Sequence, residues 1–173
     1  MDLMSTVRSI PDFPKEGIIF RDVTTLFKNA EAFHELMDQL TASLDGKQVD
    51  AIVGPEARGF VLGSVMAYQL KAGFVPVRKP GKLPYESVSY SSDLEYGSDT
   101  IEIHKDAITP GMKVVVTDDL LATGGTALAA CKLVEQLGGE VVAVRFAIEL
   151  EGMGGREALK DYDVYSAMLF PGD

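Results

Sequence analysis

Residues 114–126 read Val-Val-Val-Thr-Asp-Asp-Leu-Leu-Ala-Thr-Gly-Gly-Thr and join an apolar run, two adjacent acids and a stretch of glycine and hydroxyl residues. The apolar start predicts a central parallel strand, because a strand covered on both faces loses its polar alternation. Asp118 and Asp119 follow where that strand should end. Since open α/β sheets bind ligands outside the carboxyl ends of their strands, this stretch predicts an α/β fold with a ligand site directly after the strand.

The second half of the stretch has the composition of an anion-binding loop, made of Ala122, Thr123, Gly124, Gly125 and Thr126. Glycines let the main chain approach an oxyanion without a Cβ in the way, and amide and hydroxyl groups at a helix start donate hydrogen bonds to it. We therefore expect the loop to hold a phosphate group, and a side chain at Gly124 to clash with it. The alternative is an ordinary glycine-rich turn between strand and helix, which many doubly wound domains contain.

The rest of the chain predicts strands that alternate with helices, which favours a mostly parallel sheet covered on both faces. Residues 1–22 predict an irregular arm that ends in a short strand-like run, and residues 78–92, with their prolines and serines, predict a long loop. Apolar spacing predicts helices over 30–44, 60–70, 125–137 and 156–159, and strands over 49–53, 74–77, 100–103, 141–148 and 164–169.

The composition is that of one globular domain of 173 residues, 46% of them hydrophobic and 24% charged. No apolar run reaches about 18 residues and the N-terminus lacks a basic flank before an apolar stretch, so we expect neither a membrane span nor secretion. Cys131 stands alone, which is typical of a reducing compartment, and we expect a cytoplasmic protein. A net charge of −10 argues against nucleic-acid binding, although a local group of cations could still bind a small anion.

The stretch 114–126 resembles the phosphoribosyl-pyrophosphate signature of the type I phosphoribosyltransferases, and its Asp-Asp-Leu-Leu-Ala-Thr-Gly-Gly-Thr form is similar to that of the adenine-specific branch. Three more segments resemble this family in the same order, namely Gly54–Phe60, Arg78–Pro84 and Asp93–Gly97. The likeness extends from Phe13 to Glu157. It implies one domain over residues 1–173, with a mostly parallel twisted sheet flanked by helices, a small hood from an N-terminal arm over about residues 1–28, and a flexible lid loop.

The resemblance assigns the anionic end of the substrate to cations on two loops. Ala57 and Arg58 would belong to a pyrophosphate-binding loop after the first strand of the sheet, with a cis peptide bond expected between them. Arg78, Lys79 and Lys82 would begin the lid and meet the pyrophosphate there. Judged without the resemblance, Arg58 could equally form an ordinary surface ion pair, and the lid cations a solvated basic turn.

The resemblance also gives catalytic roles to Glu95, Arg58, Asp118 and Asp119. The two aspartates would hold the ribose hydroxyls beside a carbon that becomes cationic as pyrophosphate leaves. Glu95 would assist proton movement at the purine or stabilise positive charge on the ribose, and Tyr96 would close over the site as part of the lid. Mg²⁺ is the implied cofactor, held mainly by substrate and water with no direct protein ligand, although the aspartates could instead bind it themselves.

The purine would be bound by Ile19, Phe20 and Arg21 of the arm on one side and covered by Leu150 on the other, as the resemblance implies. An oxopurine needs a hydrogen-bond donor for its carbonyl oxygen, and a leucine side chain offers none. Ala122 stands where hypoxanthine-guanine relatives usually carry an acid that serves the purine. Both observations favour adenine.

Together these features favour a purine salvage enzyme that transfers the phosphoribosyl group from phosphoribosyl pyrophosphate to adenine, giving AMP and pyrophosphate. Its partners would be these substrates and products, without nucleic acid or membrane, and because the family is usually dimeric the resemblance implies a homodimer. Two alternatives stay open at this point. One is a xanthine or hypoxanthine-guanine phosphoribosyltransferase, and the other is a regulator that senses phosphoribosyl pyrophosphate without turnover.

Overall fold

A five-stranded parallel sheet lies at the centre of the computed structural model, which describes residues 1–94 and 97–172. The helices and strands, in chain order, are β1 Arg8–Pro11, β2 Ile19–Asp22, α1 Thr24–Phe27, α2 Ala30–Ala42, β3 Ala51–Pro55, α3 Arg58–Leu70, β4 Gly73–Val77, β5 Ser87–Leu94, β6 Gly97–His104, β7 Lys113–Leu121, α4 Gly125–Gln136, β8 Glu140–Glu151, α5 Gly155–Ala158 and β9 Val164–Pro171. Strands β1 and β2 form a separate antiparallel pair, and β5 and β6 form another. The predicted α/β fold with a mostly parallel sheet is confirmed.

The central sheet has the strand order β4-β3-β7-β8-β9, and all its pairings are parallel. Strand β7 lies in the middle, where Val114, Val115 and Val116 are fully buried, as their apolar run predicts. The strand continues to Leu121 because β8 extends beside it and pairs Glu149 with that residue. The carboxyl ends of β3, β7 and β8 therefore meet at one edge of the sheet.

Apolar side chains of the helices cover both faces of this sheet. On one face α2 contributes Leu36 and Leu40 to a core cluster that includes Val115 of β7. On the other face α4 contributes Leu133 to a second core cluster that includes Val116. Successive valines of β7 thus belong to opposite clusters, as expected of a pleated strand. Among the residues that the structure describes, no helix has both the length and the apolar character needed to cross a membrane.

The N-terminal arm contains a hairpin: β2 confirms the strand-like run predicted at the end of the arm, whereas the prediction of an irregular segment is wrong for β1. Strand β1 pairs antiparallel with β2, which places Ile10 opposite Phe20. The Asp22 carboxylate accepts hydrogen bonds from the Thr24 hydroxyl at 2.6 Å and from Arg8 Nη2 at 2.7 Å. These bonds lower the pKa of Asp22 to about 2, with the Thr24 hydroxyl as the largest cause. The carboxylate therefore ties both strands of the hairpin to the start of α1.

A second hairpin, formed by β5 and β6, occupies part of the stretch that the sequence predicts as a loop. That prediction is wrong from Ser87 onward, because this segment pairs along β6. Val88 and Tyr90 pack against the second core cluster, and the serines that alternate with them concealed a period-two strand pattern. Glu95 and Tyr96, which lie between the two strands in sequence, fall outside the described residues.

Candidate functional site

Three adjoining cavities lie at the carboxyl edge of the central sheet. The cation cavity, of about 150 Å³, has Arg58, Arg78 and Lys79 in its lining. The loop cavity, of about 110 Å³, is lined by residues 120–127 together with Asp118 and Phe146. The arm cavity, of about 140 Å³, is lined by Ile18, Ile19, Phe20, Arg21, Arg58, Asp119, Leu120 and Leu150.

The three cavities share residues where they meet. Asp118 lines both the cation cavity and the loop cavity. Arg58 and Asp119 line both the cation cavity and the arm cavity. One extended ligand with an anionic end, a central ring and a second anionic end could therefore contact all three spaces, with its middle beside the two acids.

The loop cavity is formed by the five residues whose composition predicts an anion site. Helix α4 begins at Gly125, and Gly124 before it has a φ of +88°. The first N–H groups of an α-helix have no acceptor within the helix, and they carry the positive end of its dipole. Thr123 and Thr126 add hydroxyl groups to the same lining. This combination can hold an anion of the size of a phosphate group.

Helix α5 supports the loop cavity from behind. A Cβ at Gly124 would lie 3.1 Å from Ala158 Cβ and 3.3 Å from Gly155 Cα, both on α5. A Cβ at Gly155 would lie 2.6 Å from the carbonyl oxygen of Ala122, closer than such contacts occur. The first obstacle to a side chain at Gly124 is therefore α5, whereas the sequence prediction named the bound phosphate.

Gly124→Ala is expected to weaken the binding of ribose 5-phosphate roughly tenfold, which corresponds to about 1.4 kcal/mol. The new methyl group would press on α5 and shift the loop, and the positive φ would add strain of about 1–2 kcal/mol. Gly46→Ala is the matched control, because Gly46 has a φ of +82° with open space around its Cβ position. Calorimetric titration should show lost affinity in Gly124→Ala alone, while both variants lose stability. Equal affinities in the two variants would contradict the loop assignment.

Asp118 and Asp119, the acid pair, lie where the cavities meet. Their carboxylates accept hydrogen bonds from different donors. Asp119 Oδ2 accepts a hydrogen bond from Arg58 Nε at 2.6 Å. Asp118 Oδ1 accepts one from the backbone N–H of Asp119 at 2.8 Å. Loss of water contact raises the pKa of Asp118 well above its ordinary value, and the neighbouring Asp119 carboxylate raises it further. The pair can therefore offer one ion-paired carboxylate and one carboxyl that resists ionisation to a hydroxylated ligand.

Arg58 is the first residue of α3 and reaches two of the cavities. Its hydrogen bond and ion pair with Asp119 raise its pKa. The ion pair thus belongs to the site itself. The cis peptide bond expected between Ala57 and Arg58 lies one residue earlier, between Glu56 and Ala57. Ala57, which follows this cis bond, is the N-cap residue of α3 and already has helical backbone angles.

Glu56 is a site residue that our sequence predictions missed. Its Oε2 atom accepts a hydrogen bond from Lys82 Nζ at 2.7 Å, and its Oε1 atom accepts one from the backbone N–H of Lys79 at 2.8 Å. Arg78 Nε lies 3.4 Å from Oε1. Lys82 is the largest cause that lowers the pKa of Glu56 to about 2. An acid two positions before Arg58, in a turn already predicted to meet anions, was the signal that could have found it.

The arm cavity brings together the four residues predicted to bind a purine. Ile19, Phe20 and Arg21 come from β2 and Leu150 from the end of β8, and most of the lining is apolar. The Arg21 guanidinium donates a hydrogen bond to Ser9 Oγ at 2.7 Å and lies 4.8 Å from the centre of the Phe170 ring. The arginine therefore attaches the arm to β9. A mainly apolar cavity of this kind suits an aromatic ring.

An ion pair made by the buried carboxylate of Glu149 fixes the end of β8 that carries Leu150. The Glu149 carboxylate accepts hydrogen bonds from Arg156 Nε at 3.0 Å and from Ser166 Oγ at 2.8 Å. Glu149 is only 7% exposed, so these hydrogen bonds compensate for the desolvation of its carboxylate. Arg156 belongs to α5, the helix that also supports the loop cavity. One helix therefore helps to position both cavities.

The described residues predicted for the site, apart from Lys82, thus line three adjoining cavities. Lys82 contacts Glu56, which lines the cation cavity. Glu95 and Tyr96 lie outside the described residues, and their roles stay predictions.

Comparison with known families gives a match to the phosphoribosyl transferase domain over residues 22–168. The chain is 56% identical over 170 residues to an adenine phosphoribosyltransferase of Alkaliphilus metalliredigens, covering 98% of this chain and 100% of the relative. It is 57% identical to the adenine phosphoribosyltransferase of Alkaliphilus oremlandii, covering 98% and 99% of the two chains.

Solved structures of adenine phosphoribosyltransferases are also similar to this chain. The crystal structure of adenine phosphoribosyltransferase from Thermoanaerobacter pseudethanolicus matches with a TM-score of 0.95 and 52% identity, and the alignment covers 98% of each chain. The enzyme from Saccharomyces cerevisiae, crystallised with an imino-altritol 1,6-bisphosphate and adenine, matches with a TM-score of 0.90 and 42% identity over 96% of each chain.

Proposed function

Because the chain belongs to the phosphoribosyltransferase family, we propose that it is an enzyme that transfers the phosphoribosyl group from phosphoribosyl pyrophosphate to adenine, giving AMP and pyrophosphate. The reaction is one of purine salvage. The observation that carries the proposal is the meeting of three cavities at Arg58, Asp118 and Asp119. The yeast relative supports it, because that protein was crystallised with a bisphosphate and adenine.

Each part of the substrate has a cavity whose chemistry suits it. The 5′-phosphate would lie in the loop cavity, at the start of α4. The pyrophosphate would lie in the cation cavity with Arg58, Arg78 and Lys79, and Lys82 would reach it from its contact with Glu56. Adenine would lie in the arm cavity, and the ribose would bridge the three spaces beside the acid pair. On this proposal the whole chain forms one phosphoribosyltransferase domain, with its arm over the site.

The position of the acid pair suggests how the chain assists the reaction. As the bond between the anomeric carbon and pyrophosphate breaks, positive charge develops on the ribose, and the carboxylate of Asp119 would stabilise it. A ring nitrogen of adenine then bonds to the same carbon and loses its proton, for which Glu95 would be the acceptor. Because the cation cavity and the arm cavity meet at Arg58 and Asp119, the leaving group and the base can occupy opposite sides of that carbon. This arrangement supports a dissociative displacement with inversion.

Magnesium fits the site as a companion of the substrate. Among residues 1–94 and 97–172, no group of three or more His, Cys, Asp or Glu side chains lies close enough together to hold a metal ion. Asp118 and Asp119 are the nearest oxygen donors to the sugar, and diphosphate and water oxygens suit this hard cation. When bound, Mg²⁺ would neutralise charge on the departing pyrophosphate. The protein's own part would be to supply Arg58, Arg78 and Lys79 around that group.

The remaining proposals concern parts of the enzyme that the described contacts do not reach. Glu95 would assist proton movement at the purine or stabilise charge on the ribose, and Tyr96 would close over the site. Assembly into a homodimer and location in the cytoplasm also stay predictions, as does the absence of nucleic-acid and membrane partners.

A competition assay tests the choice of base. Purified protein should be incubated with phosphoribosyl pyrophosphate, Mg²⁺ and equal amounts of adenine, hypoxanthine, guanine and xanthine, and the nucleotides separated. Because Leu150 offers no donor to a purine carbonyl, adenine should be used with kcat/KM at least roughly a hundredfold higher than the oxopurines. Faster turnover of an oxopurine would overturn the assignment. No turnover of any base, together with retention of nucleic acid on a filter, would favour a regulator.

A further inference from the structure

Glu56 makes contacts with all three lid residues that the sequence predicts to meet pyrophosphate. Its two carboxylate oxygens accept from the Lys82 ammonium at 2.7 Å and the Lys79 backbone N–H at 2.8 Å, and Arg78 lies 3.4 Å away. The side chain of Glu56 is only 15% exposed, and it lines the cation cavity beside Arg58. A protein carboxylate thus engages the Lys82 ammonium and the Lys79 backbone N–H and lies beside the Arg78 guanidinium, in the place that the proposed function gives to the substrate.

The donors around Glu56 are those that an oxyanion of pyrophosphate would use. An ammonium, a guanidinium and a backbone N–H form charge-assisted hydrogen bonds equally well with carboxylate and phosphate oxygens. Arg78 Nε is buried and has no hydrogen-bond partner among the described residues, although Glu56 is nearby. One carboxylate therefore leaves part of the donor set unused. Pyrophosphate, with more oxygens and more charge, could satisfy it fully.

We propose that Glu56 is an internal stand-in for pyrophosphate, which holds the Arg78 and Lys82 side chains and the Lys79 backbone together when pyrophosphate is not bound and competes with pyrophosphate for them. This inference rests on the proposed function, since that function places pyrophosphate in the cation cavity. Binding of pyrophosphate moves the Lys82 ammonium from the Glu56 carboxylate to a phosphate oxygen. Release of pyrophosphate returns it. Glu56 therefore lowers the affinity for this product and favours its departure.

The opposing interpretation is that Glu56 only anchors the turn that carries the cations. The two interpretations predict different changes in the affinity for pyrophosphate when Glu56 is replaced by glutamine. Glu56→Gln keeps an acceptor for the Lys79 N–H and removes the negative charge. If Glu56 competes with pyrophosphate, this variant binds pyrophosphate more tightly, because a like charge beside the ligand has gone. If Glu56 is only an anchor, the variant binds it no better or more weakly.

Calorimetric titration of the purified protein with pyrophosphate and Mg²⁺ distinguishes these outcomes. We expect Glu56→Gln to raise the affinity about tenfold over the unsubstituted chain. Glu102→Gln is the matched control: Glu102 Oε1 accepts the Gly81 N–H of the same turn at 3.1 Å, yet Glu102 is absent from the described lining of the cation cavity. Its affinity should change less than about twofold. Unchanged or weaker binding in Glu56→Gln, or an equal gain in Glu102→Gln, overturns the proposal.

Further variants keep the test decisive if Glu56→Gln fails to fold. Glu56→Asp withdraws the carboxylate from Lys82 by one methylene and should raise pyrophosphate affinity by about threefold. Lys82→Met should weaken pyrophosphate binding, and adding it to Glu56→Gln should reduce the gain from the glutamine. No gain with the aspartate, or an undiminished gain in the double variant, argues against competition at Lys82.

The titration needs no turnover, so it separates this inference from the proposed function. If the chain binds pyrophosphate but makes no AMP, the proposed function is wrong. The affinity of Glu56→Gln for pyrophosphate would still test the role of Glu56. A chain that makes AMP while Glu56→Gln shows no gain in affinity would sustain the function and remove the stand-in. A chain that does not bind pyrophosphate at all would overturn the inference directly.

Discussion

Asp119→Asn is expected to lower kcat for AMP formation by about two to three orders of magnitude, the usual effect of removing a group aimed at transition-state charge. The asparagine amide carries no negative charge to face the developing cation on the ribose. It also breaks the ion pair with Arg58, whose Nε atom now lies 2.6 Å from Asp119 Oδ2. The arginine would then add uncompensated positive charge beside the anomeric carbon. Steady-state assays at saturating adenine and phosphoribosyl pyrophosphate measure the effect.

Asp38→Asn is the control for this variant, because it makes the same chemical change at an exposed position on α2. Its kcat should stay within about twofold of that of the unsubstituted enzyme, as expected for a surface substitution. The affinity of Asp119→Asn for pyrophosphate should fall much less than its kcat. A loss of kcat smaller than tenfold would remove Asp119 from the charge-stabilising role that we give it.

Arg145→Ala should lower the free energy of unfolding by about 3 kcal/mol, because buried acceptors would lose their donors. Arg145 is 2% exposed, and its guanidinium donates to the carbonyl oxygen of Asp163 at 2.7 Å and of Ser43 at 3.1 Å. It also donates to Ser43 Oγ at 2.8 Å, and so joins β8 to the residue after α2. The thermal midpoint should fall by roughly 10 °C for a chain of this size.

Asp163→Asn separates the hydrogen bonds of Arg145 from its ion pair. The Asp163 carboxylate lies 3.4 Å from Arg145 Nη2, but its side chain is 50% exposed, so the pair should contribute less than about 1 kcal/mol. Chemical denaturation should therefore rank Arg145→Ala well below Asp163→Asn in stability. Both variants should retain kcat below their melting temperatures, since neither Arg145, in the middle of β8, nor Asp163 lines any of the three cavities. Equal losses of stability would mean that the ion pair carries the effect.

The sequence predicted the parts of the fold in which periodicity and burial agree. The strand from Val114 and the helices that begin at Ala30 and Gly125 lie where their apolar patterns place them, because one buried face dominates each pattern. The second strand of each hairpin was predicted, at 18–20 and 100–103, but the first strand was missed, for a different reason. Strands β1 and β5 are rich in polar residues and lie at the margin of the core, so their pairing depends on tertiary contacts that local composition does not report.

The candidate site was predictable where it follows from topology. The rule that ligands bind at the carboxyl ends of parallel strands leads directly to Asp118 and Asp119, and the glycine-hydroxyl run leads to the loop cavity. Glu56 could have been noticed in the turn predicted to meet anions, but its pairing with the lid residues could not be predicted. Its three partners lie 22, 23 and 26 residues away along the chain, and no local pattern links an acid at a strand end to cations at that distance.

One side of the arm cavity comes from a different part of the chain than the acid pair, although Arg58 and Asp119 also line this cavity. Ile19 and Phe20 reach it from the N-terminal hairpin, whereas Asp118 belongs to the middle strand of the sheet. If the proposed function holds, the hairpin part of the base site is encoded apart from the middle strand of the sheet. Substitutions at Ile19 and Phe20 would then be expected to change which heterocycle is accepted without altering Asp118.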